Sequence, residues 1–214
     1  MGGRVMKERV IKTDACVQEG ATWLCSQHPA FAQAMQHLPA LPLRLKPDGF
    51  PQLLSAIVGQ QVSVASANAI WARLSDAGMT DAERVRATSQ EAFRDLGLSR
   101  QKARYALALA DAEIDYVGLR AMPSDEVVKV LTAVPGIGTW TAEIYAMFSL
   151  GRADVFAAGD LALQEAAKQI FALSERPREK DLRSMSDDWR PWRSVAARIM
   201  WAYYSHQKQR EGIR

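Results

Sequence analysis

The stretch Leu131-Thr132-Ala133-Val134-Pro135-Gly136-Ile137-Gly138-Thr139-Trp140-Thr141-Ala142 joins two helical patterns through a turn rich in glycine. An apolar helix end runs into Pro-Gly-Ile-Gly, and a new helix starts at Thr139. Glycines let the backbone turn tightly and come close to a ligand, while the N–H groups of a helix N-terminus point outward and favour an anion. A DNA phosphate suits such a place. A plain helix-helix turn with a glycine C-cap reads the same twelve residues equally well.

Outward from this turn, apolar residues recur at helical spacing through most of the chain, and the period-two alternation of half-buried strands is nearly absent. The fold class expected is all-α. Thr80-Asp81-Ala82-Glu83 and Thr88-Ser89-Gln90-Glu91 read as capping boxes, Ser99 and Ser124 as further helix starts, and Gly78, Gly97, Gly118 and Gly151 as helix stops. About ten short helices follow, near residues 15–26, 29–37, 50–58, 62–77, 89–95, 100–116, 124–133, 139–149, 161–173 and 191–208. Residues 38–51 carry four prolines and no helical period, which makes them a candidate crossing between lobes. Residues 175–180, with Pro177 among charges, read as a second loop.

A chain of 214 residues, 48% of them apolar, can bury one large core or two small ones. Lys and Arg exceed Asp and Glu by 27 to 24, which mildly favours a polyanionic partner. The start of the chain is charged, with no apolar run behind it, so neither a signal peptide nor a membrane anchor is expected and a cytoplasmic protein is. Cys16 and Cys25 are too few for a disulfide framework or a four-thiolate cluster, and His28, His37 and His206 stand singly, without zinc-ligand spacing.

Beyond the turn lies Asp154-Val155-Phe156-Ala157-Ala158-Gly159-Asp160. Hairpin, loop and aspartate in this order resemble the helix-hairpin-helix DNA glycosylase superfamily. Ile57-Val58-Gly59-Gln60-Gln61-Val62-Ser63, Leu96-Gly97-Leu98-Ser99-Arg100-Gln101-Lys102-Ala103 and Pro191-Trp192-Arg193-Ser194 extend the likeness over nearly the whole chain. They are most similar to the bacterial 3-methyladenine DNA glycosylase II type. The resemblance implies a two-lobed helical fold, with residues 51–157 forming one lobe, 1–50 and 158–214 the other, and the active-site cleft between them. Larger members carry an extra N-terminal α/β domain for which these 214 residues leave no room, so the compact form is expected.

The same resemblance implies the roles. Asp160 would be the catalytic carboxylate, and its local sequence equally suits an N-cap for the following helix; the two roles are compatible. Trp140, Trp192 and Tyr145 would line a base pocket, where electron-rich rings hold a cationic alkylated base. Trp189 stands near them, and Trp201, Tyr203 and Tyr204 are read as core. Some relatives place a pocket Tyr where Ile144 stands. Gln60 and Gln61 would fill the hole left by a flipped nucleotide, at a position where some relatives carry an apolar wedge. Gly136, Gly138, Thr141, Lys102 and Arg193 would contact DNA. The backbone carbonyls of Thr132, Val134 and Ile137 would hold a monovalent cation; no other cofactor is required and no iron–sulfur cluster is expected.

Bifunctional members carry a nucleophilic Lys just before Thr-Ala in the hairpin, where this chain has Trp140, so a monofunctional enzyme that uses water is expected. The activity implied is excision of alkylated bases, of the 3-methyladenine or 7-methylguanine type, from double-stranded DNA by a monomer in the bacterial cytosol. A glycosylase for mismatched or oxidised bases, or a non-catalytic hairpin module, are the alternatives; the carboxylate at 160 separates the last of these, because a pure binder has no need of it.

Overall fold

The computed structural model describes residues 8–211, and the charged start read at residues 1–7 lies outside them. Among the described residues thirteen α-helices are formed: α1 (Asp14–Gln27), α2 (Pro29–Met35), α3 (Phe50–Gly59), α4 (Val64–Asp76), α5 (Ala82–Arg86), α6 (Gln90–Asp95), α7 (Arg100–Asp111), α8 (Tyr116–Leu119), α9 (Ser124–Thr132), α10 (Thr139–Phe148), α11 (Leu161–Ile170), α12 (Glu179–Met185) and α13 (Arg193–Glu211). A 3₁₀ turn spans Ser186–Trp189. Among the described residues the extended structure is one isolated bridge, Val10 with Arg152. The all-α expectation holds.

Side-chain caps start several of these helices. Ser63, Ser89 and Ser99 accept from the amides of Ser66, Ala92 and Lys102, and Asp81 from that of Arg84. The caps thus fall on Asp81 and Ser89, one residue beyond the Thr of each expected box. Gly78, Gly97 and Gly151 leave their helices with left-handed φ, whereas Gly118 lies inside α8. The single helix expected over 100–116 ends at Asp111, because Glu113 takes φ +44 and Asp115 restarts the chain by capping Gly118 N–H at 2.9 Å. Helix α5 is anticipated only by the capping box at 80–83, and α12, like α8 beyond Tyr116, lies outside the expected helices.

The chain divides into two compact units, Met1–Leu45 with Ala146–Arg214, and Lys46–Tyr145. The boundaries differ from those expected at 50/51 and 157/158. Residues 46–50 join the second unit because Asp48 forms a two-bond ion pair with Arg120 and the Gly49 amide donates to Tyr145 Oη. Residues 146–157 join the first because Ala153 N–H donates to Arg9 O, Ser194 N–H to Ala153 O, and Arg193 holds Asp154.

In the first unit, Leu24, Phe31, Phe156, Leu163, Val195 and Ile199 are buried where α1, α2, α11 and α13 meet. Trp189 belongs to this core, stacked on Phe171 and edge-on to Phe31 and Phe156. In the second unit, Leu54, Ile57, Leu74, Val85, Phe93 and Leu109 close the core of α3 to α7. Each such side chain contributes roughly 1.5–3 kcal/mol by leaving water. None of the described helices is long and apolar enough to cross a membrane.

Candidate active site

In the second unit, α9 and α10 are joined by the turn at 133–138. Gly136 has φ +92, a conformation L side chains rarely adopt, and a Cβ there would run into the Tyr105 ring. The turn is closed by Ile137 N–H to Val134 O at 3.1 Å, and Gln60 Nε2 donates to Gly136 O at 2.9 Å. A Cβ at Gly138 would meet nothing within 4 Å, so this side of the turn is open to a ligand's close approach.

Beside the turn lies a cleft of about 540 Å³. Gln60, Gln61, Lys102, Gly136 and Gly138, each expected at the DNA from sequence, line it together. Gln61 is exposed and takes φ +55, while Gln60 is half-buried and tied to the turn, so the two glutamines do different jobs. Lys102 is half-buried, and its ammonium donates to Val58 O at 2.8 Å, at the end of α3. Burial lowers its pKa from the usual lysine value.

Other expected site residues are placed differently. Trp140 is 47% exposed on α10, as a ring that stacks on a base must be. Thr141 is buried, so its hydroxyl is not presented to solvent. Tyr145 is 3% exposed, and its Oη accepts from Gly49 N–H at 2.8 Å, which ties residues 46–49 to α10. Its pKa is pushed up to about 12 by burial. Thr132 donates its hydroxyl to Val128 O, as helical threonines do.

In the first unit, Asp160 is the N-cap of α11 and is half-buried. Its Oδ1 accepts from Ala162 N–H at 2.9 Å and Leu163 N–H at 3.1 Å. A third donor on the same oxygen is the indole of Trp201, at 3.3 Å. Trp201 in turn lies 5.7 Å from the Phe148 ring, and the buried Arg198 guanidinium lies over that same ring at 4.8 Å. From sequence, Trp201 is expected in the core. Its proximity to Asp160 follows from α13 packing along α11, which no local pattern encodes.

Trp192 and Arg193 are both engaged within the protein. Trp192 is 3% exposed under the Arg9 guanidinium, and a Cβ on Gly20 would lie 2.7 Å from its ring, so α1 is seated on it. Its ring packs against α1 and Val195. Arg193 Nε donates to Asp154 Oδ1 at 2.7 Å and Nη2 to Asp154 O at 2.6 Å. A guanidinium held by two bonds to one residue supports the loop leading to Asp160. No group of three or more His, Cys, Asp and Glu able to hold a metal ion occurs among the described residues.

Residues 54–191 match the family described as HhH-GPD superfamily base excision DNA repair protein, and the chain belongs to that superfamily. It is 30% identical to DNA-3-methyladenine glycosylase 1 of Schizosaccharomyces pombe over 167 residues, which are 73% of this chain and 72% of that protein. A shorter match, 34% over 113 residues, links it to the Bacillus subtilis relative YfjP; it covers 51% of this chain and spans 39% of the length of that relative. The crystal structure of a DNA-3-methyladenine glycosidase from Bacillus halodurans has a TM-score of 0.81 and 30% identity, covering 95% of both chains.

Proposed function

We propose that the chain is a DNA glycosylase that initiates base excision repair by hydrolysing the N-glycosidic bond of alkylated bases in double-stranded DNA, with Asp160 as its catalytic residue. The observation that carries this reading is the fixed carboxylate: two backbone amides and one indole N–H converge on Asp160 Oδ1. Breaking the bond leaves positive charge on the sugar, and a carboxylate already held in place stabilises that charge without reorganising during the reaction. The same group is suited to orient the attacking water. A base alkylated at a ring nitrogen is cationic and departs readily, so the reaction needs no separate acid.

To reach the bond, the nucleotide leaves the stack at a cost of a few kcal/mol. Gln61, exposed on its loop, would fill the space, and the turn at Gly136 and Gly138 would hold the backbone. Trp140 occupies the position of the lyase lysine, so no Schiff base forms and the product is an intact abasic site. A monovalent cation would be held by the carbonyls of Thr132, Val134 and Ile137. The donor set fits: neutral carbonyl oxygens at the last residue of α9 and in the turn that follows, with the Val134 carbonyl also accepting from Ile137 N–H. Such an ion would stiffen the turn.

Release of free base from DNA carrying 3-methyladenine, 7-methylguanine, 1-methyladenine or ethenoadenine is the test. Asp160→Asn keeps the shape and a capping oxygen, so it should bind DNA normally and lose about three orders of magnitude in base release, or several kcal/mol of transition-state stabilisation. Undiminished turnover by Asp160→Asn would sink the assignment, and release of only mismatched or oxidised bases would redirect it.

A further inference from the structure

Arg198 on α13 is 1% exposed, and among the described residues no carboxylate pairs with it. Its guanidinium donates through Nη1 to Ser194 O at 2.9 Å and Ser194 Oγ at 2.6 Å, and through Nη2 to Leu43 O at 3.0 Å. Its Nε is buried without a hydrogen-bond partner. Burial lowers its pKa to about 10, and the neighbouring Arg44 charge acts in the same direction. A cation held this way is a poor means of filling a core, because an apolar side chain of similar volume usually leaves a protein as stable or more so. Stability alone therefore does not account for Arg198.

Its direction does. The guanidinium carbon stands 4.8 Å from the centroid of the Phe148 ring, at the end of α10. Phe148 is buried, and its centroid lies 5.7 Å from that of Trp201, with the rings tilted by 36°. Trp201 is half-buried, so packing encloses only part of its indole, and the indole N–H lies 3.3 Å from Asp160 Oδ1. A cation over an aromatic face is attracted by the ring's quadrupole, the more so where water is excluded. Ser194 and Leu43 thus fix the guanidinium, the guanidinium fixes the Phe148 ring, and that ring forms one wall of the indole's place. All of these residues belong to the first unit.

We propose that Arg198 is a positioning residue for base release, which clamps the Phe148 ring so that the Trp201 indole keeps its N–H on Asp160. The proposal rests on the reading of Asp160 as the catalytic carboxylate.

The test combines single-turnover base release and DNA affinity of the full chain, at a temperature where every variant is folded, with the proton resonance of the Trp201 indole N–H. That resonance is identified by its loss in Trp201→Phe. Arg198→Met should slow release about three- to tenfold and leave the Kd for DNA within about twofold. In the Trp201→Phe background the same change should alter the rate by less than about twofold, because residues that act through one contact are not additive. Arg198→Lys, whose ammonium can still lie over the ring, should recover most of the rate. The indole resonance should move upfield in Arg198→Met, in the direction it takes in Asp160→Asn.

An unchanged rate in a folded Arg198→Met, full additivity with Trp201→Phe, or a lysine variant as slow as the methionine one overturns the proposal. If Arg198→Met does not fold, Phe148→Leu replaces it in the same cycle, since it leaves the hydrogen bonds of Arg198 in place; an unchanged rate there overturns the proposal equally. A protein whose indole resonance moves as expected, yet which releases no base from any alkylated DNA, leaves the clamp on the indole standing and overturns the glycosylase reading.

Discussion

The Trp201 indole N–H lies 3.3 Å from Asp160 Oδ1, on the oxygen that also caps α11. Two residues separated by 41 positions thus share the task of aiming one carboxylate. Removing the indole donor while keeping an aromatic ring separates aiming from packing. Trp201→Phe should reduce the single-turnover rate of base release about tenfold, the equivalent of one hydrogen bond to a charged group, and leave the Kd for DNA within about twofold. A variant that loses only melting temperature, with its rate unchanged, would make Trp201 purely structural.

The resemblance to the helix-hairpin-helix glycosylases puts Trp140 where a lyase would keep its amine. Borohydride should trap no covalent adduct between protein and damaged DNA, and product strands should stay intact until heated in alkali. Efficient trapping would reveal a nucleophilic amine elsewhere in the chain.

Gln60 and Gln61 are adjacent but differently employed. Gln61→Ala should slow excision from duplex DNA roughly fivefold or more while affecting single strands little, because an unpaired base largely avoids the unstacking cost of a few kcal/mol. Gln60→Ala removes the bond to Gly136 O and should cost about 0.5–1.5 kcal/mol of stability, slowing both substrates alike. If the two variants exchange these behaviours, Gln60 is the residue that enters the stack.

Burial pushes the Tyr145 hydroxyl up to about 12, and that of Tyr116 moves in the same direction. Folding therefore favours the neutral phenol. The associated stability is complete below pH 10, the ordinary tyrosine value, and is lost as pH climbs from there toward 12. Tyr145→Phe should flatten the loss of stability across that window and, by leaving Gly49 N–H without its acceptor, cost about 1–2 kcal/mol at neutral pH. Denaturant titrations at pH 7, 10 and 11.5 check both, and an equally steep alkaline loss in the variant would exclude Tyr145 as its source.

Much of the fold was legible because its causes are local. Helical periodicity, the serine and aspartate caps and the left-handed turn at Gly136 each depend on residues within a few positions of one another. The hairpin followed by Asp160 was visible for the same reason, since a turn and an N-cap are written in consecutive residues. Helices α5 and α8 are too short, at five and four residues, to show a period. Helix α12 opens with the charged, Pro-containing run that reads as loop.

By itself, then, the sequence determined an all-helical chain, a glycine hairpin able to meet a phosphate, and a carboxylate at the head of a helix. Only the tertiary structure decided which side chains remain available. Lys102 reaches Val58 across 44 positions and Arg193 reaches Asp154 across 39, while Trp192 and Tyr145 are buried and Trp201 is brought to Asp160. The physical reason is that exposure and hydrogen-bond partnership are set by how helix faces pack. A side chain's chemistry is carried in its own residue type, but whether it faces a ligand or a neighbouring helix depends on residues far along the chain.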